Sequence, residues 1–329
     1  MNEALVYVYK TSPHTLDADI KKVLATKDFQ KLDSRKRTFI KINANYDRDW
    51  PGCNTSRWFL EALLKDLREE GFENLAVIEG DLKLQPAIRT IKAIGIDKIL
   101  EKHDVPFLPI ESLPRDANEL PAILKEVQLI STPVLHTHTF AVISCASKNL
   151  YGLLPIYREK YHNLLSEKLL ELVDNVSAFT IVDGTVGLEG GSMRLGSRRR
   201  TDLILAGWNP IAIDIVASRT MGFVPEQIPY LNLAHRNGLT NSFVATGDFD
   251  LDSLPEYDFA WKGSKLSTVD LWLRGNRATA KLFEYNSPFD RFQNRARRIY
   301  TSLFYNVKRR RVLEGDWKEY EEVNTSSGK

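Results

Sequence analysis

The chain has 329 residues, 43% of them hydrophobic and 27% charged, with 45 Lys+Arg against 43 Asp+Glu and a formal net charge of +2. That length holds one large domain or two medium ones, with interior enough for a core that needs no disulfide or metal staple. Two cysteines, Cys53 and Cys145, exclude a disulfide framework and a four-thiolate zinc or iron–sulfur site supplied by one chain, and no apolar run reaches the ~18 residues of a membrane span.

The opening MNEALVYVYKTSPHTLD lacks a basic start followed by an apolar stretch, so a cytoplasmic protein is expected. Within it ALVYVYK reads as a strand. LDADIKKVLATKDFQKL has helical spacing with Asp17 near its start, and RTFIKINA is a second strand rich in β-formers. After a turn at Pro51-Gly52, NTSRWFLEALLKDLREEGF is a strong helix. Trp58, Phe59, Ala62, Leu63 and Leu67 recur at intervals of three to four, Asn54, Thr55 or Ser56 supplies an N-cap, and Gly71 closes it. LAVIEG follows as a short apolar strand. Strand, helix, strand is a βαβ unit, and it predicts an α/β fold, a mixed or mostly parallel sheet covered by helices.

The same grammar continues. IRTIKAIGIDKILEKH is helical, VPFLPI is a strand, and NELPAILKEVQLI fits either state. HTFAVISCAS is a strand and REKYHNLLSEKLLELVDNV a second strong helix. AFTIVDG and TDLILAG have the composition of buried strands, NPIAIDIVASRTMG is a helix from Pro210 to Gly222, and EQIPYLNLAHRNGL is another. Composition changes near residue 255, which divides the chain into an α/β body, 1–255, and a basic helical extension, 256–329.

Four groups of residues could carry chemistry. Lys41 and Asn43 share a side of the strand RTFIKINA and sit where it runs out, ahead of Thr55 and a helix start. Open α/β sheets bind ligands at the carboxyl ends of strands, although a capped turn explains the same residues. His136 and His138 share a strand face, a spacing that suits two metal ligands or paired acid–base groups, and Lys148, Asn149, Gly152 and His162 follow. Asp183 ends a strand and opens a glycine-rich stretch with Gly184, Gly187, Glu189, Gly190 and Gly191, then Arg194 and Arg198 to Arg200. Glycines let backbone approach a ligand and arginines recognise anions, yet the spacing matches neither a phosphate-binding P-loop nor a dinucleotide fingerprint. Last, residues 289–313 place Phe289, Phe292, Ala296, Ile299, Leu303, Phe304 and Val307 at helical spacing, flanked by Arg291, Arg295, Arg297, Arg298 and the run from Lys308 to Arg311. Such a basic amphipathic helix suits an anionic membrane surface, or packs on its own domain. Nucleic acid ranks behind both, since no recognition module is visible.

In this order the segments resemble the DUF362 family. The resemblance spans roughly residues 38–245 and rests on Lys41 and Asn43 as K-x-N, Pro51, Gly52 and Thr55 as P-G-x-x-T, and Glu79-Gly80. It continues with Pro133, Leu135, Thr137 and His138, then Lys148, Asn149, Leu150, Gly152 and Pro155, His162, IVDGTVGLEG, and Asp214 in a following helix. His136 stands where the family has a lysine, and Ser192-Met193 where it has G-P. Many members resembling this chain carry ferredoxin-like cysteine repeats; this sequence has none, so no iron–sulfur cluster is expected, while a divalent metal remains open.

These readings converge on an enzyme for a small anionic metabolite. Lys41, Asn43, Thr55, Lys148, Asn149, Gly184, Gly190, Gly191 and Arg194 would hold the anion. His138, Asp183, Glu189 and His162 would move protons, with His136 and His138 as the metal candidates. The rival is a non-catalytic cofactor-binding or assembly protein that docks through its basic C-terminal helix, peripheral to a membrane. Residues 261–311 carry 13 Lys+Arg against 3 Asp+Glu, which leaves the remainder at −8, so the near-neutral total conceals an acidic body and a basic extension.

Overall fold

A computed structural model describes residues 3–82, 85–190, 196–240, 242–261 and 317–326, with isolated positions between 287 and 295. Its centre is a mixed ten-stranded sheet. The strands are β1 (Ala4–Lys10), β2 (Thr38–Ile42), β3 (Leu75–Glu79), β4 (Phe107–Pro109), β5 (Gln128–Thr132), β6 (Val134–His138), β7 (Val142–Ser144), β8 (Phe179–Glu189), β9 (Ser197–Gly207) and β10 (Phe243–Gly247). The order is β10-β1-β9-β8-β5-β2-β3-β4, with β6 pairing β8 and β7 off this path. Pairings among β8, β5, β2, β3 and β4 are parallel, as is β10 with β1; β9 runs antiparallel to both its neighbours. The fold is α/β, as the βαβ pattern predicts.

Helices cover both faces. On one lie α1 (Leu16–Leu24), α2 (Arg57–Glu69), α3 (Ala87–Ala93) and α4 (Ile96–Lys102); on the other, α5 (Ala146–Leu150), α6 (Leu165–Asn175), α7 (Pro210–Thr220) and α8 (Pro229–Arg236). Alternation along the strands sorts side chains between the two cores. Ile40 and Ile42 join Phe59 and Leu63 of α2, whereas Phe39 joins Leu150 and Leu169. β2 and β3 are buried along their whole lengths, which explains their near-continuous apolar sequences. The single helical pattern of residues 88–103 is two helices, because Gly95 sits at φ +76° and breaks the run. The ambiguous NELPAILKEVQLI splits into a 3₁₀ turn at Ala122–Lys125 and then β5.

Two departures bear on function. The glycine-rich stretch after Asp183 is strand as far as Glu189: β8 runs on to that residue, paired with Ser197 to Gly184's partner Leu203 on β9. Gly184 and Gly187 masked what is a long strand, buried along almost all of its length. Secondly, the chain changes partner at Pro133. β5 pairs with β2 as far as Ile42–Thr132, and β6, beginning one residue later, pairs with β8 and β7 instead. The sheet therefore opens between the end of β2 and β6.

Composition shifts near 255, but Phe259, Trp317 and Tyr320 beyond it pack on the body. Phe259 N donates to Met221 O at 2.8 Å and the Phe259 ring is buried. Helix α9 (Lys318–Ser326) and Trp317 before it rest on the α1–α2 face, where Tyr320 stacks on Trp58 with ring centroids 5.5 Å apart. The basic stretch 289–313 lies, apart from isolated positions, outside the described residues. No helix among the described residues is long and apolar enough to cross a membrane.

Candidate functional site

The site begins at the carboxyl end of β2. Lys41 lies on the α5 side of the sheet and is 1% exposed; its Nζ donates to Glu79 Oε1 and Ile42 O, both at 2.7 Å. Glu79, at the end of β3, also accepts Gly80 N through Oε1 and Ala44 N through Oε2. Burial pulls the Lys41 pKa down, opposed by the charge and hydrogen bond of Glu79. Backbone closes over this pair: a Cβ on Gly152 would lie 2.9 Å from Lys41 Nζ, and one on Gly80 only 2.4 Å from Gly152 O. Gly80 needs glycine because the backbone at Gly152 leaves no room for a side chain, whereas a side chain at Gly152 would have to displace the Lys41 ammonium.

Next to it stands α5, the short helix that carries Lys148 and Asn149. Asp214, fully buried on α7, takes Ala146 N on Oδ1 at 2.7 Å and Ser147 N on Oδ2 at 3.0 Å, satisfying the free amides at the start of α5. Burial lifts its pKa to about 6. Asn149 Nδ2 donates to Ser131 Oγ at 2.9 Å and Lys41 O at 3.3 Å, tying α5 to β5 and β2. Lys148 is thereby fixed with its Nζ over the Tyr151 ring, 4.3 Å from the centroid. Among the described residues it has no carboxylate within 4 Å and no hydrogen-bond acceptor. Burial, then the charges of Arg158 and Lys41, bring its pKa down to about 7.

Arg158 is the second cation here. It is 6% exposed, its Nη1 donates to Leu154 O and Pro155 O, and its own carbonyl accepts the Tyr151 hydroxyl at 2.5 Å. No ion pair forms on it among the described residues, although Glu111 lies close enough to feel its charge.

Three histidines border the lysine. His138 Nδ1 accepts Phe140 N at 3.1 Å and Ala141 N at 3.2 Å, so the neutral ring carries its hydrogen on Nε2. His136 Nδ1 faces Thr137 O at 3.1 Å; a carbonyl only accepts, so Nδ1 holds the hydrogen and the buried Nε2 keeps a bare lone pair, with no donor among the described residues. One imidazole thus offers a donor and the other an acceptor. Burial depresses both, His136 to about 4 and His138 well below its ordinary value, the latter with Lys148, His136 and His162 adding repulsion. His162 stacks on Tyr151, centroids 6.0 Å apart, and lies 5.2 Å from Phe140.

The remaining expected residues do other work. Asp183 points to the α2 face with Ile181, opposite to Lys41, because successive residues on a strand alternate. Its Oδ2 accepts Ser56 N and Oγ at 2.8 and 2.7 Å, and its Oδ1 accepts Thr185 N and Oγ1 at 3.2 and 2.7 Å. It anchors the start of α2 rather than joining the lysines. Glu189 pairs with Arg199 at 3.1 Å and accepts Ala260 N. Asn43 and Thr55 clasp each other: Asn43 N donates to Thr55 Oγ1, Thr55 N to Asn43 O, and Thr55 Oγ1 to Thr132 O. Gly184 lies inside β8 and Gly190 at its end, N-bonded to Ala260 O; Gly191 and Arg194 fall outside the described residues. Among the described residues no three His, Cys, Asp or Glu side chains gather as a metal-ligand set, His136 and His138 included. Arg158, Tyr151 and Ser131 escaped the sequence reading. Asp214 left a legible signal there, a lone carboxylate in an apolar helix.

Fold and site together define an α/β protein whose parallel strands end beside a cluster of buried cations and neutral imidazoles. A family model described as a domain of unknown function, DUF362, matches residues 38–219, more than half of the chain, and the chain belongs to that family. The match contains the strand ends, α5 and Asp214. Neither a curated protein nor a solved structure matches the chain.

Proposed function

We propose that the protein is an enzyme that binds a small organic anion at Lys148 and Arg158 and moves protons through the adjoining imidazoles. One observation carries this reading: two cations at a largely buried position have no carboxylate partner among the described residues. A buried charge costs several kcal/mol unless it is paired. Lys41 is paired, with Glu79; Arg158 brings a guanidinium, and Lys148 adds a second charge below about 7. An anionic ligand supplies what the fold withholds. The His138 Nε2–H and the His136 Nε2 lone pair then offer a donor and an acceptor beside it, suited to general acid–base work.

Calorimetric titration with a panel of mono- and dicarboxylates and phosphate monoesters tests the reading. At least one should bind, and Lys148→Met should weaken it about tenfold or more, the loss of one charged hydrogen bond. Binding by Lys148→Met at unchanged affinity sinks the proposal.

A further inference from the structure

The placement of Lys148 says more than that an anion binds. An ammonium kept only as a counter-charge is served by acceptors that hold it, as Ile42 O and Glu79 hold Lys41. Lys148 has none of these among the described residues; an aromatic face lies under its amine and two cations stand near it. It is partly exposed, so a ligand can reach it. That is the environment in which a lysine amine sheds its proton and becomes a nucleophile.

We propose that Lys148 is an imine-forming residue, and that the substrate is an anionic carbonyl compound such as a 2-oxo acid or a phosphorylated aldehyde. The inference rests on the anion-site reading above. The neutral amine adds to the carbonyl carbon, forming the C–N bond as the carbonyl π pair moves to oxygen. That oxygen, hydrogen-bonded by His138 Nε2–H, takes the proton that the nitrogen sheds. A second proton on the hydroxyl lets it leave as water, and the nitrogen lone pair closes the iminium. In sum, amine, carbonyl and one proton give iminium and water, with no change of oxidation state. Arg158 holds the anionic group, and the positive iminium inherits the place of the ammonium. The pKa of about 7 leaves a large share of the amine free at neutral pH, where surface lysines are almost wholly protonated.

The full-length protein is incubated with pyruvate, and separately with glycolaldehyde phosphate, in the presence of sodium cyanoborohydride. Intact mass and peptide mapping locate any reduced adduct, while calorimetry on the same protein reads binding. Expected is a single adduct, on Lys148, that is absent from Lys148→Arg and forms at a rate half-maximal near pH 7. Binding without a Lys148 adduct overturns the imine and leaves the anion site standing. Adducts scattered over surface lysines, equal in Lys148→Arg, also overturn it. Neither binding nor adduct with either probe overturns both readings.

Discussion

Lys148 should make its presence felt in the stability of the free protein. In the unfolded chain it titrates near 10.4, in the folded one at about 7. Below pH 7 both states hold the proton and the full cost of the buried ammonium is present. Between about 7 and 10 only the unfolded chain holds it, so stability rises with pH, by at most about 1.4 kcal/mol per unit. Urea unfolding at a series of pH values, with the Lys148→Met curve subtracted, should show this rise; a flat difference would contradict the low pKa. Asp183 gives the opposite expectation. Its four donors make it a fastening of the α2 start, so Asp183→Asn should cost about 1–3 kcal/mol in stability. Ligand affinity at Lys148 should stay within twofold by the small coupling of sites on opposite faces, and a large drop would bring Asp183 back into the site.

Among the elements, α5 shows how a helix of five residues is kept. Isolated, it is too short to persist, and it depends on Asp214 at one end and on Asn149 reaching to β5 and β2. Asp214→Ala should therefore destabilise by about 1–2 kcal/mol and weaken ligand binding in parallel, since the loss of a cap loosens Lys148. Unchanged affinity in that variant would mean that α5 holds its place without the carboxylate. Sequence reasoning reached the βαβ start, because α2 and the strands beside it repeat their apolar residues at the helical and strand periods. It grouped Lys41, Asn149 and the histidines as one set of candidate site residues from their chemistry and their places at strand ends. It ended the strand at Asp183 and read Gly184 to Gly191 as a loop, because glycines were weighed above the β-formers between them. And it put Asp183 with Lys41, because the face on which a strand-end carboxylate emerges depends on register, which only pairing fixes.

At the scale of the molecule, part of the chain beyond residue 255 packs on the body. Trp317 and Tyr320 are buried against α2, Tyr320 Oη donates to Asp202 Oδ1 at 2.7 Å, and Arg200 bridges to Glu319 at 2.9 Å. A hydrophobic pattern of one short helix does not reveal which distant surface it covers, so this contact was not legible beforehand. Tyr320→Ala should lower stability by about 3–5 kcal/mol, as removal of a core aromatic does, in a single unfolding transition. An unchanged denaturation midpoint would show that α9 stands outside the cooperative unit.

The change of partner at Pro133 has a mechanical consequence. Between β2 and β6 no ladder joins the two strands, because β5 ends its pairing at Thr132 and β6 turns to β8. Spreading them sideways breaks none of the sheet's rungs among the described residues; it strains side-chain ties such as Thr55 to Thr132. The rigid strands on either side keep their register meanwhile. The protein has the build of a clamp whose jaws are stiff and whose gap is soft, and the width of that gap is set by those few side-chain bonds.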